Sequence, residues 1–244
     1  MSKRIKFFIS HLAISFFIAL IFIGVVFLLW YPSPLAKAVG VTSVFFMLVF
    51  IDVIIGPLLS FFVYKEGKRT LIMDLTFIII MQASALAYGV YSIAQGRPAW
   101  IVYYYDQFEL VTNKDLVKDR LQLVKPEYQT YFEFNTKVVA VQPRKTDEET
   151  KKDMIEVLTT GIPVFMRPER YVPFEQESST ILKSSYNLDK LKKFNEPHKV
   201  DEILAKYPQA NVWLPLNATE KNMTVLINKE KGEVVKIVDL RPWK

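Results

Sequence analysis

Three apolar stretches fill the first hundred residues, and a mixed polar pattern replaces them afterwards. From Phe7 to Trp30 no charged residue occurs, and only Ser10, His11 and Ser15 are clearly polar. At about 1.5 Å per residue this stretch reaches roughly 36 Å as a helix, enough for one membrane crossing. Lys3, Arg4 and Lys6 precede it like the basic region of a signal peptide, and Ala36-Lys37-Ala38 fits a small-x-small cleavage pattern. The apolar run exceeds the ~7–15 residues of a signal-peptide core, and a second run follows at once, so it reads as a retained helix. That second run extends from about Val39 to Tyr64, and a third from about Leu71 to Ile93, joined by Lys65-Glu66-Gly67-Lys68-Arg69.

Beyond residue 96 the periods are shorter. Trp100 to Val111 is dense in aromatic and β-branched residues and predicts one strand leaving the membrane. Thr112 or Asn113 is placed to cap a short helix through Gln122. Thr136 to Gln142 predicts a further strand. Thr146-Asp147-Glu148-Glu149 is a capping box opening a helix that Gly161 ends. Ile162 to Phe165 reads as a strand, Leu188 to Phe194 and Val200 to Tyr207 as short helices. Asn211 to Leu216, Met223 to Asn228 and Glu233 to Leu240 read as strands, the last two joined by a hairpin signal at Lys229 to Gly232. The expected architecture is therefore a membrane α-helical part of three transmembrane helices, residues 1–96, plus an exported α+β domain with a mainly antiparallel sheet, residues 97–244.

Charge sets the orientation. Residues 1–96 carry seven Lys or Arg against three acids, leaving 24 basic and 22 acidic residues for the remainder. The formal net charge of +6 is thus mostly juxtamembrane, as expected beside anionic lipid, and no nucleic-acid partner is needed to explain it. Three basic residues at the amino end and three in the second loop outnumber Lys37 and Arg97 at the other helix ends. The amino terminus is expected in the cytoplasm and the C-terminal domain outside it. Trp30, Tyr31, Trp100 and Tyr103 to Tyr105 are assigned to the outer aromatic belt, and Ala85 with Gly89 to a close helix approach.

Chemistry is sparse. Without cysteine the chain has no disulfide or thiolate. The eight glycines form neither GxGxxG nor a phosphate loop, and the two histidines stand far apart in the sequence. No cofactor, metal or catalytic residue is expected. The Lys190 to Lys193 run reads as a solvated helix face.

Asp52 is the informative residue, about twelve positions from either end of its span. A carboxylate at mid-bilayer costs about 2.5–3.5 kcal/mol on insertion scales, and such residues face a bundle interior or a partner. Gln82 lies at matching depth, either as a structural hydrogen-bond partner of a neutral Asp52 or as part of a partner site. Gly56-Pro57 one turn away predicts a kink and a freed carbonyl that a neighbouring helix can satisfy. Asp52, Gly56, Pro57 and Gln82 form the candidate intramembrane partner-binding site. His11 and Asp74 stand at similar depth near the cytoplasmic boundary and are placed to pair.

Gly56-Pro57-Leu58-Leu59, the basic turn, Asp74-Leu75, Gln82, Ala85-Leu86, Tyr88-Gly89 and Arg97-Pro98 together resemble the TfpX/TfpZ family of type IV pilin accessory proteins. The likeness spans roughly residues 50 to 112, with Asp106-Gln107-Phe108 where that family more often has Asp-Arg-Phe. The resemblance implies a bacterial inner-membrane protein needed for stability or assembly of the type IV major pilin. Its partners would be that pilin, other assembly machinery and the lipid bilayer. A membrane-anchored pilin-modifying enzyme and a structural subunit of an envelope complex or transporter are the alternatives.

Overall fold

The computed structural model describes residues 1–117, 122–129, 136–142, 144, 146–177 and 183–244. The chain divides into two compact units, one of Met1–Ala36 with Gly40–Arg97, the other of Lys37–Val39 with Pro98–Lys244.

The first unit consists of three helices long and apolar enough to cross a membrane: α1 (Lys3–Trp30), α2 (Val41–Val63) and α3 (Leu71–Gln95). Ser2 caps α1 by accepting from the Ile5 amide, and the last turns of α1, Val25–Trp30, are π-helical. At the far end of α2, the Phe61 carbonyl accepts a 2.6 Å hydrogen bond from Arg4 Nε, whose guanidinium also lies 3.9 Å from the centre of the Phe61 ring. A cation is favoured there, where helix carbonyls lack intrahelical partners. Gly89 lets α3 approach α2, since a Cβ there would stand 2.6 Å from a Leu48 methyl. Most other side chains of the three helices face outward, Phe16, Leu28, Phe62, Ile72 and Phe77 among them.

The second unit is built on an eight-stranded sheet of β1 (Pro98–Tyr104), β2 (Gln107–Thr112), β3 (Lys137–Val141), β4 (Tyr171–Pro173), β5 (Tyr186–Asn187), β6 (Val212–Asn217), β7 (Met223–Asn228) and β8 (Glu233–Val238). Its order is β4-β3-β1-β2-β6-β7-β8, with β5 paired to β6. The β1–β3 and β2–β6 pairings are parallel and the other five antiparallel, so the mainly antiparallel α+β reading holds for this unit. Helices α4 (Asp147–Thr160) and α5 (Pro197–Ala205) accompany the sheet. One core gathers Trp100, Val102, Val139 and Tyr171, another Leu191, Val200, Trp213 and Leu226. On β2 the carboxylate of Glu109 is held by Gln107 Nε2 at 2.6 Å and Asn217 Nδ2 at 3.1 Å. Lys37–Val39 belongs to this unit through the Ala38 carbonyl, which accepts from the amides of Glu220 and Lys221.

Several expected elements form as predicted. Thr146 Oγ1 accepts from the Glu149 amide at the start of α4, and Gly161 closes it at φ 70°. Asn228 pairs with Glu233 across the predicted hairpin. Others differ. The Trp100–Val111 run is not one strand but the β1–β2 hairpin, turning at Tyr105 and Asp106 with Tyr105 in the left-handed region at φ 54°. Ile162 to Phe165 forms no strand; Val164–Met166 is a 3-10 turn, which Pro163 and Pro168 bracket. Leu188–Lys193 is 3-10 rather than α-helical. The helix expected after Thr112 is a single 3-10 turn, Asn113–Asp115, closed by the Asp115 carboxylate on the Thr112 amide and hydroxyl; its predicted continuation from Lys118 to Leu121 lies outside the described residues. Half of the aromatic belt is also reassigned, because Trp100 and Tyr103 are core residues of the second unit, and Tyr31 is buried with its hydroxyl on the Ile93 carbonyl.

Candidate functional site

The candidate residues of the first unit converge at one interruption of α2. Ile51–Ile55 is π-helical, and the Gly56 amide reaches back five residues to the Ile51 carbonyl. In that pattern the Asp52 carbonyl would accept from residue 57, which is proline and has no N–H. Gln82 on α3 supplies the missing donor, its Nε2 lying 3.1 Å from the Asp52 main-chain oxygen. The amide fits because residue 56 is glycine: a Cβ there would overlap the Gln82 amide group. Gly56, Pro57 and Gln82 are thus one device, and the break takes the form of a π turn.

This corrects the expected partnership. Gln82 bonds the backbone of Asp52 and not its side chain. Both carboxylate oxygens of Asp52 are buried without a hydrogen-bond partner, although the residue is only 8% exposed. The carboxylate borders a cleft of about 380 Å³ between α1, α2 and α3, walled mainly by apolar side chains such as Ile14, Phe22, Phe45, Ile79 and Leu86. His11 also lines the cleft, and its Nδ1 is 2.9 Å from the Ser60 hydroxyl. The predicted His11–Asp74 pair does not form: Asp74 is held by Lys68 Nζ at 2.5 Å and the Thr70 hydroxyl at 3.0 Å, at the N-terminal turn of α3 where a carboxylate is favoured. Sequence reasoning missed the His11–Ser60 pair. Its signal was present, since His11 lies four residues after Phe7 and Ser60 four before Tyr64, at equal depth.

The second unit holds a groove of about 800 Å³ between the β1–β2 turn, with Tyr104 and Tyr105, and the Asp153, Met154, Val157 and Leu158 positions of α4. Asp153 at its wall is gripped by Arg144 through two bonds of 2.8 and 2.5 Å and by Arg170 at 2.8 and 2.6 Å. The Arg144 hydrogen bond, with Arg170 beside it, holds the Asp153 carboxyl down at about 2, while burial pushes the Tyr104 hydroxyl up to about 12. Each cation is thereby occupied structurally. Among the described residues no group of three or more His, Asp or Glu is placed to hold a metal. His198 is exposed at the start of α5.

Three helices apolar enough to cross a bilayer, enclosing a cleft with one carboxylate and joined in one chain to a folded α+β domain, define the class of protein. Comparison with known proteins gives this class a family. The chain is 34% identical over 177 residues to a fimbrial assembly protein of serogroup E1 from Dichelobacter nodosus, covering 72% of this chain and 68% of that one. It is 32% identical over 177 residues to the serogroup I protein of the same organism, with the same coverage, and 36% identical over 113 residues to its protein of serogroups C1 and C2, covering 46% of this chain and 86% of that one. Residues 1–40 also match the family model of the fimbrial assembly protein FimB. The chain belongs to the fimbrial assembly protein family. No solved structure matches it.

Proposed function

We propose that this protein is an accessory factor, or membrane chaperone, that stabilises the type IV major pilin and promotes its assembly into pili. Its similarity to fimbrial assembly proteins over 72% of the chain carries the reading, and the resemblance of residues 50 to 112 to the TfpX/TfpZ family narrows it to type IV pilin. In this reading α1, α2 and α3 cross the bacterial inner membrane, which accounts for the large apolar side chains they expose, a surface that water would not tolerate. The excess of Lys and Arg near the start of α1 and between α2 and α3 puts those ends in the cytoplasm and the α+β domain in the periplasm. The helices hold the apolar stem of a pilin waiting in the bilayer, and the domain holds its head. No chemical step is assigned to the protein; in its groove Asp153 is taken up by Arg144 and Arg170.

Deleting the gene tests this. Surface pili or the cellular pilin level should fall several-fold while the pilin keeps its mass. Unchanged piliation would overturn the reading, and a reproducible change in pilin mass would replace it with a modifying enzyme.

A further inference from the structure

The Asp52 carboxylate is the one acidic side chain in the middle of the three helices, and the structure gives its neighbours other work. Gln82 satisfies the Asp52 main-chain carbonyl, and the His11 imidazole stands against Ser60. Arg4 is bound to Phe61 at the end of α2. Along the helix, Asp52 is about twelve residues, or ~18 Å, from either end of its span, beyond the basic residues that flank it. Both of its oxygens remain unpartnered at the wall of an apolar cleft that is otherwise open between the helices. Burying a lone carboxylate costs far more than burying a paired one, so a group from outside the chain that completes it would gain strongly from binding there.

Two features select that group. A cation that donates hydrogen bonds fits best, because it bonds the oxygens and offsets the buried charge together, whereas a neutral donor does only the first and an acceptor or an anion does neither. The group must also reach mid-depth: with a hydrocarbon core of about 30 Å, a phospholipid headgroup stays roughly 15 Å short of the centre. A helix lying in the bilayer can carry a nitrogen to that level. The cleft, at about 380 Å³, accepts a row of side chains from such a helix and not a whole second bundle.

We infer that the cleft between α1, α2 and α3 is a docking groove for an apolar membrane helix of a partner protein, which places a primary ammonium, from a lysine or from its own amino terminus, against the Asp52 carboxylate. The inference rests on the membrane-spanning reading above; the partner it expects is a stem-like helix of the pilus system.

The absence of cysteine makes the test clean, since a single introduced thiol is unique in the chain. Ala83 faces the cleft, and in Ala83→Cys the full chain in native membranes is labelled with a thiol-reactive photo-crosslinker. One adduct with a protein helix is expected, and its peptide should contain either a lysine or the free amino terminus, which separates the two amine sources. Adding Asp52→Asn should reduce that adduct about tenfold, which corresponds to 1.4 kcal/mol, while Asp52→Glu should keep it within about twofold. If Asp52→Asn fails to accumulate, Ile14→Trp fills the cleft from its exposed side and should abolish the adduct instead. An adduct unchanged by Asp52→Asn or by Ile14→Trp, a lipid adduct alone, a peptide with no amine, or no adduct from normally accumulated protein would each overturn the inference. A charge-dependent adduct to a helix outside the pilus system would uphold the groove and defeat the pilus reading, whereas lost piliation with a charge-independent adduct would do the reverse.

Discussion

Two carboxylates of the second unit show how environment sets the behaviour of one chemical group. Asp153 is clasped by Arg144 and Arg170 and has its carboxyl held down at about 2, so its folded value lies below its unfolded one. Such a group stabilises the fold fully above the unfolded value near 4, and that contribution disappears as pH falls toward 2. Thermal unfolding of the full chain in detergent should therefore show Asp153→Asn less stable than the native protein at neutral pH, with the gap closing between pH 4 and 2. A gap independent of pH would contradict the assignment. Removing one partner of so buried a network costs about 3 kcal/mol, because Arg170 would be left uncompensated. Glu109 behaves oppositely: burial pushes its carboxyl up, against the bonds from Gln107 and Asn217. Its folded value lies above its unfolded one, so its contribution becomes more favourable as pH falls through the folded value. Neither role was legible in the sequence, since Arg144 and Arg170 meet Asp153 only through the chain's return along β4. Asp52 and Gln82 were legible as a depth-matched pair, but not that the amide would choose the main chain; that depended on the π turn.

Among the elements, α2 and α3 are fastened at one point by three residues acting together. Gly56→Ala would push the Gln82 amide away and free the Asp52 carbonyl, and Gln82→Ala would free it directly. Each should cost about 0.6–1.7 kcal/mol of bundle stability, the range of hydrogen bonds between membrane helices. The double variant should cost little more than either single one, since both remove the same bond. Additive losses would mean that Gly56 and Gln82 act separately. In the second unit, Thr146→Ala should cost about 1 kcal/mol through loss of the cap on the Glu149 amide, measured by the same unfolding assay. This helix was readable because cap and stop signals stand at both ends. The β1–β2 hairpin was not, because its left-handed turn residue is Tyr105, where glycine, asparagine or aspartate would have announced it. Ile162 to Phe165 misled for the converse reason: a short apolar run between prolines fits a strand and a 3-10 turn equally.

For the whole molecule, length and hydropathy alone make the three apolar helices plain, whereas the pairing of eight strands depends on contacts between distant residues that no local pattern encodes. The parallel β1–β3 and β2–β6 neighbours are of that kind. The proposed orientation rests on charge alone and is tested alone: a reporter fused after Lys244 should be active only if it functions in the periplasm, and cytoplasmic activity would overturn the proposed topology. The central claim is that this member of the fimbrial assembly protein family acts on pilin itself. Its most direct test is to purify the tagged full chain from native membranes after brief crosslinking and identify what is bound. The account predicts the major pilin as a reproducible partner, present in the membrane fraction even when pilus assembly is blocked. Recovery of the protein with other envelope components but without pilin would contradict it.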